Sequence, residues 1–378
     1  MNTIMKVTSS DDLDLASVLW SVLPPLRPEA LFQWACLLSF LLVSYRVARV
    51  LYSALATPLL RSTCLRVDLK RRHGREAFAV VTGATDGIGL AYAQQFAARG
   101  MNVYLVSRTP AKLQKRKREI EAQYPDVDVK TLAVDFSQID EAAYAKLDKA
   151  LSKVTVGVLV NNCGVSYEHA EWLTDISNEL LERLIEVNVR SLTLMTRIIL
   201  PAMYARGSGD IVNVTSVAGV WAMGEPLYAV YSGSKGYVNF FSRSLHWEAR
   251  ERGVSVQCHV PHLVATSMSK MKPSWPSVPT PRAFALAAVN RIGSGEFMVT
   301  PFWFHELFER LMDVLPYWFT IDVFSIPRVL HTRKRALRKK AILDFQVGFL
   351  EENPEVAEMD ENDRRKAVRK AFDERKKE

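Results

Sequence analysis

Short apolar runs alternate with amphipathic stretches between residue 77 and about residue 300. A strand of a parallel sheet is apolar along its length because helices cover both faces, and each return to the next strand requires a crossover. The alternation therefore predicts an α/β fold with a doubly wound parallel sheet, one domain that we place at residues 75–300. The predicted strands are 77–81, 102–108, 129–135, 156–162, 209–216 and 254–261, and the predicted helices are 88–100, 110–124, 139–153, 176–205 and 228–252.

The first 60 residues have a different pattern. Residues 1–30 are polar and rich in turn-forming residues, so we expect no stable structure there. Residues 31–45 (LFQWACLLSFLLVSY) are apolar except for one glutamine and two serines, close to the lower length limit of a transmembrane helix. The run begins too far along the chain, and after too acidic a flank, for a cleaved signal peptide. We favour a membrane anchor and juxtamembrane helix over residues 31–60, and a buried helix is the alternative.

Basic residues are distributed unequally about this apolar run. Arg46, Arg49 and Arg61 follow it, whereas only Arg27 precedes it at a similar distance. Cytoplasmic flanks of membrane spans carry the excess of lysine and arginine. The bulk of the chain, C-terminal to the run, is therefore predicted to face the cytosol.

The pattern changes again beyond residue 300. Residues 301–340 are rich in aromatic residues, then strongly basic from 328 to 340 (RVLHTRKRALRKK). Charges interleaved with the aromatics exclude a second membrane span and favour an amphipathic element that lies on a membrane or covers an apolar substrate tunnel. Ordinary core packing is the alternative. We assign residues 341–378 to a charged tail, in which residues 351–378 need not fold.

Composition narrows the class of protein. The 49 basic and 41 acidic residues give a formal charge of +8. The basic clusters match no nucleic-acid-binding module, so we expect attraction to anionic lipid rather than a nucleic-acid partner. The four cysteines have neither metal-ligand spacing nor a paired framework, which predicts a reducing compartment and no metal site.

A glycine-rich turn follows the first predicted strand, in the sequence TGATDGIG at residues 82–89. A turn whose backbone N–H groups approach a pyrophosphate needs glycine, because a Cβ would block the approach or forbid positive φ. The helix that follows directs its positive dipole end at the phosphates. Strand, glycine turn and helix in this order predict a dinucleotide site. Its residues are Gly83, Thr85, Asp86, Gly87, Ile88 and Gly89.

The segment Tyr231-Ser-Gly-Ser-Lys235 lies in a predicted helix. Residues four apart share a helix face, so the Lys235 ammonium can lie beside the Tyr231 phenol. A free phenol has a pKa of ~10, and a neighbouring positive charge lowers that pKa. The pair is therefore predicted to deliver a proton to a carbonyl oxygen near neutral pH while a hydride reaches its carbon.

These motifs, in this order, resemble the short-chain dehydrogenase/reductase family over residues 77–300. The resemblance implies a Rossmann-type sheet and a catalytic set in which Tyr231 is the acid and base, Lys235 holds the ribose hydroxyls, and Ser216 polarises the substrate carbonyl. It also implies that Asn188, in EVNVRS, positions a relay water. The family's NNxG element matches Asn161-Asn162-Cys163-Gly164, and we assign Asn162 and Gly164 to the cofactor site.

Two positions depart from the family pattern. Ser216 and Tyr231 are 231 − 216 = 15 residues apart, two more than is usual in the family, and segment 220–228 (VWAMGEPLY) can hold the extra residues in a loop. If Ser216 is displaced, Thr215 or a backbone group would have to polarise the carbonyl. The usual proline-glycine after the sixth strand is Pro261-His262 here, where His262 is either a pocket-lining residue or a ligand or base.

The end of the second strand selects the cofactor. NAD sites place a carboxylate there for the ribose 2′-hydroxyl, whereas this chain has Ser107-Arg108. A guanidinium suits a 2′-phosphate, so NADPH/NADP+ is predicted and Arg108 joins the cofactor site. By resemblance, Asp135 accepts from the adenine amine, Thr266 holds the carboxamide, and Val264 lies in the same segment.

Longer strings resemble one membrane-bound branch of the family. TGATDGIG, VSRT, FFSRSLHWE (240–248) and PHLVAT (261–266) are similar to very-long-chain 3-oxoacyl-CoA reductases and related 17β-hydroxysteroid dehydrogenases. This resemblance implies NADPH-dependent reduction of a 3-oxoacyl-CoA in fatty-acid elongation at the endoplasmic reticulum membrane, with oxosteroid reduction as the alternative.

A third hypothesis, from another class, is a catalytically silent NADP(H)-binding scaffold. The implied partners of the enzyme are a fatty acyl-CoA or steroid substrate, membrane lipid, other elongation enzymes, and a second copy of the chain through helices 176–205 and 228–252. The terminal Arg375-Lys376-Lys377-Glu378 is near a dilysine retrieval signal, but chance produces such a match easily in so charged a tail.

Overall fold

The structure is a computed structural model that describes residues 28–63, 67–221, 224–316 and 318–375. The predictions for residues 1–27 and for the last three residues lie outside this described part. The chain divides into two compact units, residues 1–53 and 54–378.

The described part of the first unit is helical and belongs to α1 (Pro28–Thr63). Its window Glu29–Ala48 has a mean hydropathy of 1.5, and within the described ranges it is the one helix apolar and long enough to span a membrane. Large apolar side chains along it, such as Phe32, Trp34 and Phe40, are exposed. The helix expected at 31–60 is present, and its insertion in a membrane stays a prediction.

The second unit contains the predicted doubly wound sheet, which is confirmed. Seven parallel strands pair in the order β3-β2-β1-β4-β5-β6-β7. The order reverses between β1 and β4, so the loops after these two strands diverge and leave a crevice at the carboxyl edge of the sheet. The strands are β1 (Phe78–Thr82), β2 (Asn102–Ser107), β3 (Val129–Ala133), β4 (Val156–Asn161), β5 (Gly209–Val214), β6 (Val254–His259) and β7 (Met298–Val299).

Helices connect the strands and continue beyond them. Their bounds are α2 (Leu69–His73), α3 (Gly87–Ala97), α4 (Pro110–Gln123), α5 (Glu141–Leu151), α6 (Asn178–Ile185), α7 (Ser191–Arg206), α8 (Ala229–Arg250), α9 (Pro281–Val289), α10 (Trp303–Val314), α11 (Ile326–Glu352), α12 (Pro354–Ala357) and α13 (Glu361–Arg375). Glu186–Arg190 and Phe319–Ser325 are π-helical, and short 3-10 turns occupy Phe136–Gln138, Leu173–Asp175 and Val217–Gly219.

Two apolar layers bury the faces of the sheet. On one face, side chains of α3, α4 and α9, including Phe96, Ile120 and Phe284, pack against the strands. On the other, side chains of α5, α7 and α8, including Leu147, Met195 and Leu245, do the same. Strands covered on both faces are mostly apolar, which explains the apolar runs in the sequence.

Three features differ from the predicted pattern. The helix expected at 176–205 contains the π-helical segment at 186–190, and β7 adds a two-residue strand to the edge of the sheet. The expectation that residues 351–378 need not fold is wrong for its described part, because α12 and α13 occupy it. The ring of Phe372 in α13 packs on the ring of Phe345 in α11, with 5.6 Å between centroids. This apolar contact fixes the otherwise charged helix α13 against α11.

Candidate active site

The turn between β1 and α3 meets the loop that follows β4. Gly83 and Gly87 have φ of +66° and +55°, a region that residues with a Cβ rarely adopt. A Cβ at Gly89 would lie 2.4 Å from both the Gly83 oxygen and Asn162 Nδ2. Gly89 therefore lets the turn close on Asn162, while Gly83 and Gly87 line a cavity together with Thr85, Asp86 and Ile88.

Asn162 fastens these two segments at the end of β1. Its Nδ2 donates to the Thr82 oxygen at 3.0 Å, and the backbone N–H groups of Asn162 and Cys163 each donate to Thr82 Oγ1 at 3.0 Å. These bonds fix the loop after β4 against the end of β1, where the glycine turn begins. Asn162 and Gly164, both predicted to belong to the cofactor site, line that cavity.

Arg108 and Asp135 lie at one end of the cavity, after β2 and β3. The Arg108 side chain is exposed, and the neighbouring Ser107 hydroxyl bonds Thr85 Oγ1 at 3.0 Å. Asp135 Oδ1 accepts from the Ser137 N–H at 2.9 Å and from its hydroxyl at 2.7 Å. Partial burial opposes ionisation, but these bonds and the nearby Arg108 charge keep the pKa of Asp135 below its usual value. The carboxylate is thus ionised next to a guanidinium.

Segment 261–271, after β6, covers the glycine turn. The Thr266 methyl lies 3.3 Å from the place a Cβ at Gly87 would take. Ser267 donates to the Asp86 carboxylate, and Asp86 also caps α3 by accepting from the Gly87 N–H at 2.7 Å. Val264 is buried and faces the cavity with Thr266. Val264 and Thr266, the two residues of this segment that were assigned to the cofactor site, therefore line the same cavity as the glycine turn.

Ser216 and Tyr231 both line the cavity. The Ser216 hydroxyl lowers the pKa of the Tyr231 phenol. Fifteen residues of separation therefore still leave both side chains at the same cavity. Thr215 does not substitute for Ser216, because its hydroxyl donates to the Lys235 oxygen at 2.7 Å in the core.

The phenol pKa differs from the expectation. The Tyr231–Lys235 spacing predicts a lowered pKa, but in the structure burial raises the pKa of Tyr231, and the Ser216 hydroxyl only partly offsets it. Burial also lowers the pKa of Lys235 to about 8. Lys235 Nζ lies 6.0 Å from the phenol ring centroid and donates to the Val214 oxygen at 3.1 Å. Burial of the phenolate therefore raises the pKa of Tyr231 by more than the distant Lys235 ammonium lowers it.

Asn188 lies behind the cavity wall. Its Oδ1 accepts from the Val165 N–H at 2.8 Å, and its Nδ2 donates to the Val165 oxygen and to Ser234 Oγ, both at 3.0 Å. The side chain thereby connects the π-helical segment with the loop after β4 and with α8. A Cβ at Gly164 would lie 3.3 Å from both Asn188 Oδ1 and Lys235 Nζ. Of the predicted site residues, Gly89 and Asn188 are the two that do not line the cavity.

The far side of the cavity is built mostly from residues that motif analysis misses. The whole enclosure measures about 960 Å³, within the usual range of ligand sites. Tyr167 and Tyr228 pack at 5.2 Å on one side, while α10 and the segment after it supply aromatic side chains. His262 lines the cavity as well. The residues of this substrate-side wall are Tyr167, Trp221, Glu225, Tyr228, His262, Phe304, His305, Phe308, Phe324, Arg328 and Val329.

The 301–340 segment thus covers the cavity, one of the two roles expected for it. The sequence signals for this wall are loop 220–228, the aromatic residues at 302–326 and His262, whose pocket-lining alternative the structure places at the cavity. Within the described ranges, no group of three or more histidine, cysteine or acidic side chains could hold a metal ion.

Comparison with known proteins is consistent with this geometry. Residues 77–277 match the family model described as short chain dehydrogenase. The chain is 41% identical over 300 residues to the very-long-chain 3-oxoacyl-CoA reductase of Caenorhabditis elegans, covering 79% of this chain and 92% of that protein. It is 40% identical over 253 residues to the reductase of the same name from Bos taurus, covering 66% and 79%. A short-chain dehydrogenase from Sphingobium yanoikuyae in complex with NADPH is 26% identical with a TM-score of 0.53, covering 64% of this chain and 97% of that one.

Proposed function

This chain belongs to the short-chain dehydrogenase/reductase family, and on that premise we propose that it reduces a long- or very-long-chain 3-oxoacyl-CoA to the 3-hydroxyacyl-CoA with NADPH. The placement of Ser216, Tyr231 and Lys235 in one cavity that runs from a glycine turn to an aromatic wall carries the proposal. The names of its relatives favour an acyl-CoA over a 17-oxosteroid.

The residues present fit NADPH. The glycine turn lines the cavity with Gly83 and Gly87, both at positive φ. A Cβ at Gly83 would lie 3.0 Å from Asn162 Nδ2 and 3.1 Å from Cys163 Cα, so only glycine lets the turn pack on the loop after β4. Arg108 would hold the 2′-phosphate and Thr266 the carboxamide. Bound NADPH supplies a hydride to the substrate carbon. The Lys235 pKa of about 8 keeps its amine mostly protonated at pH 7, so that it can donate to ribose hydroxyls.

Tyr231 would act as the proton donor. Because burial raises its pKa, the phenol keeps its proton until negative charge develops on the substrate oxygen. Ser216 would donate to the same oxygen, which a preorganised hydroxyl can do without reorientation cost. Asn188 does not line the cavity. It would instead position the loop at Val165 relative to α8, through its hydrogen bonds to the Val165 N–H and to Ser234 Oγ.

The aromatic wall would take the acyl chain. Phe304, Phe308 and Phe324 line the cavity beyond the catalytic pair, and apolar surface of this kind binds alkyl chains without directional bonds. Long acyl substrates gain about 0.8 kcal/mol for each buried methylene. Affinity should therefore rise with chain length until the wall is filled.

We place the protein in the endoplasmic reticulum membrane with the second unit facing the cytosol. Support comes from the apolar window Glu29–Ala48 and from the excess of arginine after it. The outward side of segment 301–340, where Trp318 and Val323 are exposed, would contact lipid. Exposed aromatic side chains on α8, Phe240 and Trp247, would contact a second copy of the chain or another elongation enzyme.

The full chain, purified in detergent with NADPH, tests the function. We expect loss of absorbance at the reduced nicotinamide band with 3-oxoacyl-CoA of long chain, and little or none with a 17-oxosteroid. The reverse preference would assign the steroid alternative, and no oxidation with either substrate would favour the silent scaffold. NADPH binding, measured in parallel by fluorescence, verifies that the protein is intact.

A further inference from the structure

The cavity reaches the protein surface along α11. Val329 and Thr332, three residues apart and therefore neighbours on one face of that helix, both line the cavity. Val329 is buried, at 3% exposed, whereas Thr332 is exposed. The lining thus passes from the interior to solvent within one helical turn. One mouth of the cavity therefore lies at Thr332, and a group that extends out of it along α11 meets the residues that follow.

The part of α11 that begins at this mouth is strongly basic. Residues 328–343 contain seven arginines and lysines and no acidic residue. Arg328, Arg333 and Arg338 form ion pairs with carboxylates of other segments. The remaining four have no ion pair within the described ranges: Lys334, Arg335, Lys339 and Lys340. Four unpaired positive charges within seven residues produce a potential that attracts polyanions.

Two of these four residues share the helix face of Thr332. Arg335 follows Thr332 by three residues and Lys339 follows it by seven, which are spacings of one helix face. Both side chains are exposed. Because an α-helix rises 1.5 Å per residue, Lys339 lies roughly 10 Å beyond Thr332 and roughly 15 Å beyond Val329 along the helix axis. The two cations therefore follow the mouth in the direction in which the cavity opens.

Acidic residues on the loop after β4 are already paired. Glu171 forms its ion pair with Arg333 of α11. Glu168 lines the cavity, and its Oε1 lies 3.7 Å from Lys270 Nζ. These carboxylates are therefore matched by cations other than Arg335 and Lys339. The charge of those two side chains is left available for an anion from outside the protein.

We propose that Arg335 and Lys339 bind the nucleotide phosphates of coenzyme A, outside the cavity that holds the acyl chain. This rests on the proposed function. With the reacting carbonyl at the catalytic residues and the alkyl chain on the aromatic wall, the charged end of the substrate must leave through a mouth. An extended pantetheine arm spans roughly 16 Å by standard bond lengths, close to the rise from Val329 to Lys339. A guanidinium and an ammonium both suit phosphate, and an oxosteroid has none to offer.

Two thioesters of the same acyl chain test the assignment by binding. The full chain, in neutral detergent and loaded with NADP+, is titrated calorimetrically with 3-hydroxyacyl-CoA and with 3-hydroxyacyl-pantetheine, which lacks the nucleotide. We expect the wild type to bind the CoA ester about tenfold more tightly, the effect of charge-assisted contacts, and added salt to reduce this ratio. In the double variant Arg335→Gln, Lys339→Gln the ratio should fall to about threefold or less, while affinity for the pantetheine ester stays unchanged.

A matched control separates this site from net charge. Lys366→Gln, Lys370→Gln removes two exposed positive charges from α13 and should keep the full ratio. Equal binding of the two thioesters by the wild type would overturn the proposal, and so would an unchanged ratio in the Arg335, Lys339 variant. If that variant keeps the ratio but loses affinity for micelles doped with phosphatidylserine, the basic face binds anionic lipid instead. Failure of the proposed function looks different, since neither thioester would bind and 3-oxoacyl-pantetheine would not oxidise NADPH.

Discussion

Arg328 of α11 forms an ion pair with Glu225, in the loop immediately before the helix that carries Tyr231. Arg333, five residues further along α11, forms a second pair with Glu171. The Glu171 N–H donates to the Leu227 oxygen at 3.0 Å, so both carboxylates belong to one connected loop region. Helix α11 is thereby held over the substrate side of the cavity by two ion pairs.

Arg328→Met should weaken the attachment of α11 over the substrate side of the cavity. It leaves Glu225 largely buried without its partner, and burial already raises the pKa of that carboxyl. Because Arg328 is 39% exposed, we expect a loss of only about 1–2 kcal/mol of unfolding free energy, with a clear rise in KM for the acyl substrate. Arg338→Met, which breaks the exposed pair with Asp373, is the control and should change neither quantity measurably. Equal KM values in the two variants would contradict the role of Arg328.

Tyr231→Phe should abolish turnover and keep cofactor binding. The substitution removes the phenol hydroxyl, the proposed proton donor, and retains the ring that lines the cavity. We expect a fall in kcat of about 10²-fold to 10⁴-fold, the range for loss of a general acid. NADPH affinity, measured by fluorescence, should stay within about twofold of wild type. Retained turnover would refute the assigned proton donor.

Arg108→Leu should change cofactor selectivity. The guanidinium stands where a carboxylate would bind the ribose of NAD, beside Ser107 and Thr85. We expect weaker NADPH binding by roughly tenfold to a hundredfold, the value of one charge-assisted contact, with NADH binding little changed. Arg118→Leu, on the exposed face of α4, is the matched control. An unchanged ratio of NADPH to NADH affinity would exclude Arg108 as the phosphate ligand.

Two glycines near the catalytic lysine should respond in opposite ways to alanine. A Cβ at Gly219 would lie 2.3 Å from the Lys235 carbonyl carbon, so Gly219→Ala must displace α8 at the site. We expect it to cost about 3 kcal/mol and most of the activity. Gly233 lies within α8 with nothing within 4 Å of its Cβ position, and Gly233→Ala should gain about 0.5–1 kcal/mol. Thermal unfolding with NADPH titration measures both.

Cofactor affinity should depend on pH through Lys235. Its folded pKa of about 8 lies below the ordinary 10.5, so the amine loses its proton as pH rises through 8. We expect NADPH affinity to decline above that pH, because a neutral amine binds ribose hydroxyls less strongly. Stability moves in the opposite direction: the unfolded state holds more protons between pH 8 and 10.5, so unfolding free energy rises with pH there. Lys235→Met should show neither dependence, and a wild-type affinity that is flat from pH 7 to 10 would contradict the prediction.

Much of the fold could be predicted because its information is local. The central strands β1 (FAVVT) and β4 (VGVLVN) are nearly continuous apolar runs, and the turn at Gly83 and Gly87 needs a residue without a Cβ. The placement of Ser216 and Tyr231 in one cavity depends on the strand order of the doubly wound sheet, because β5 ends before Ser216 and α8 follows it. Two extra residues in the intervening loop do not disturb this order, which is why the motif survives its altered spacing.

The substrate wall could not be predicted in the same way. Trp221 and His262 are 41 residues apart, and their contact arises from two loops that bear no periodic signal. The folding of α13 depends on Phe372 reaching Phe345 across a turn, which a count of charges does not reveal. The pKa of Tyr231 depends on how completely its surroundings exclude water, and helical spacing alone gave the wrong direction.

Groups that would hold the cofactor lie between residues 83 and 266, whereas the cover over the substrate side comes from residues 303–332. The cofactor side and the C-terminal part of the substrate wall are therefore encoded as successive stretches, although Tyr167, Trp221 and His262 add to that wall from the earlier one. Replacing residues 303–332 with those of a homologue should change the preference for acyl-chain length and leave hydride transfer from the nicotinamide unchanged. After a gene duplication, substitutions confined to the same residues would therefore be enough to change the lipid substrate.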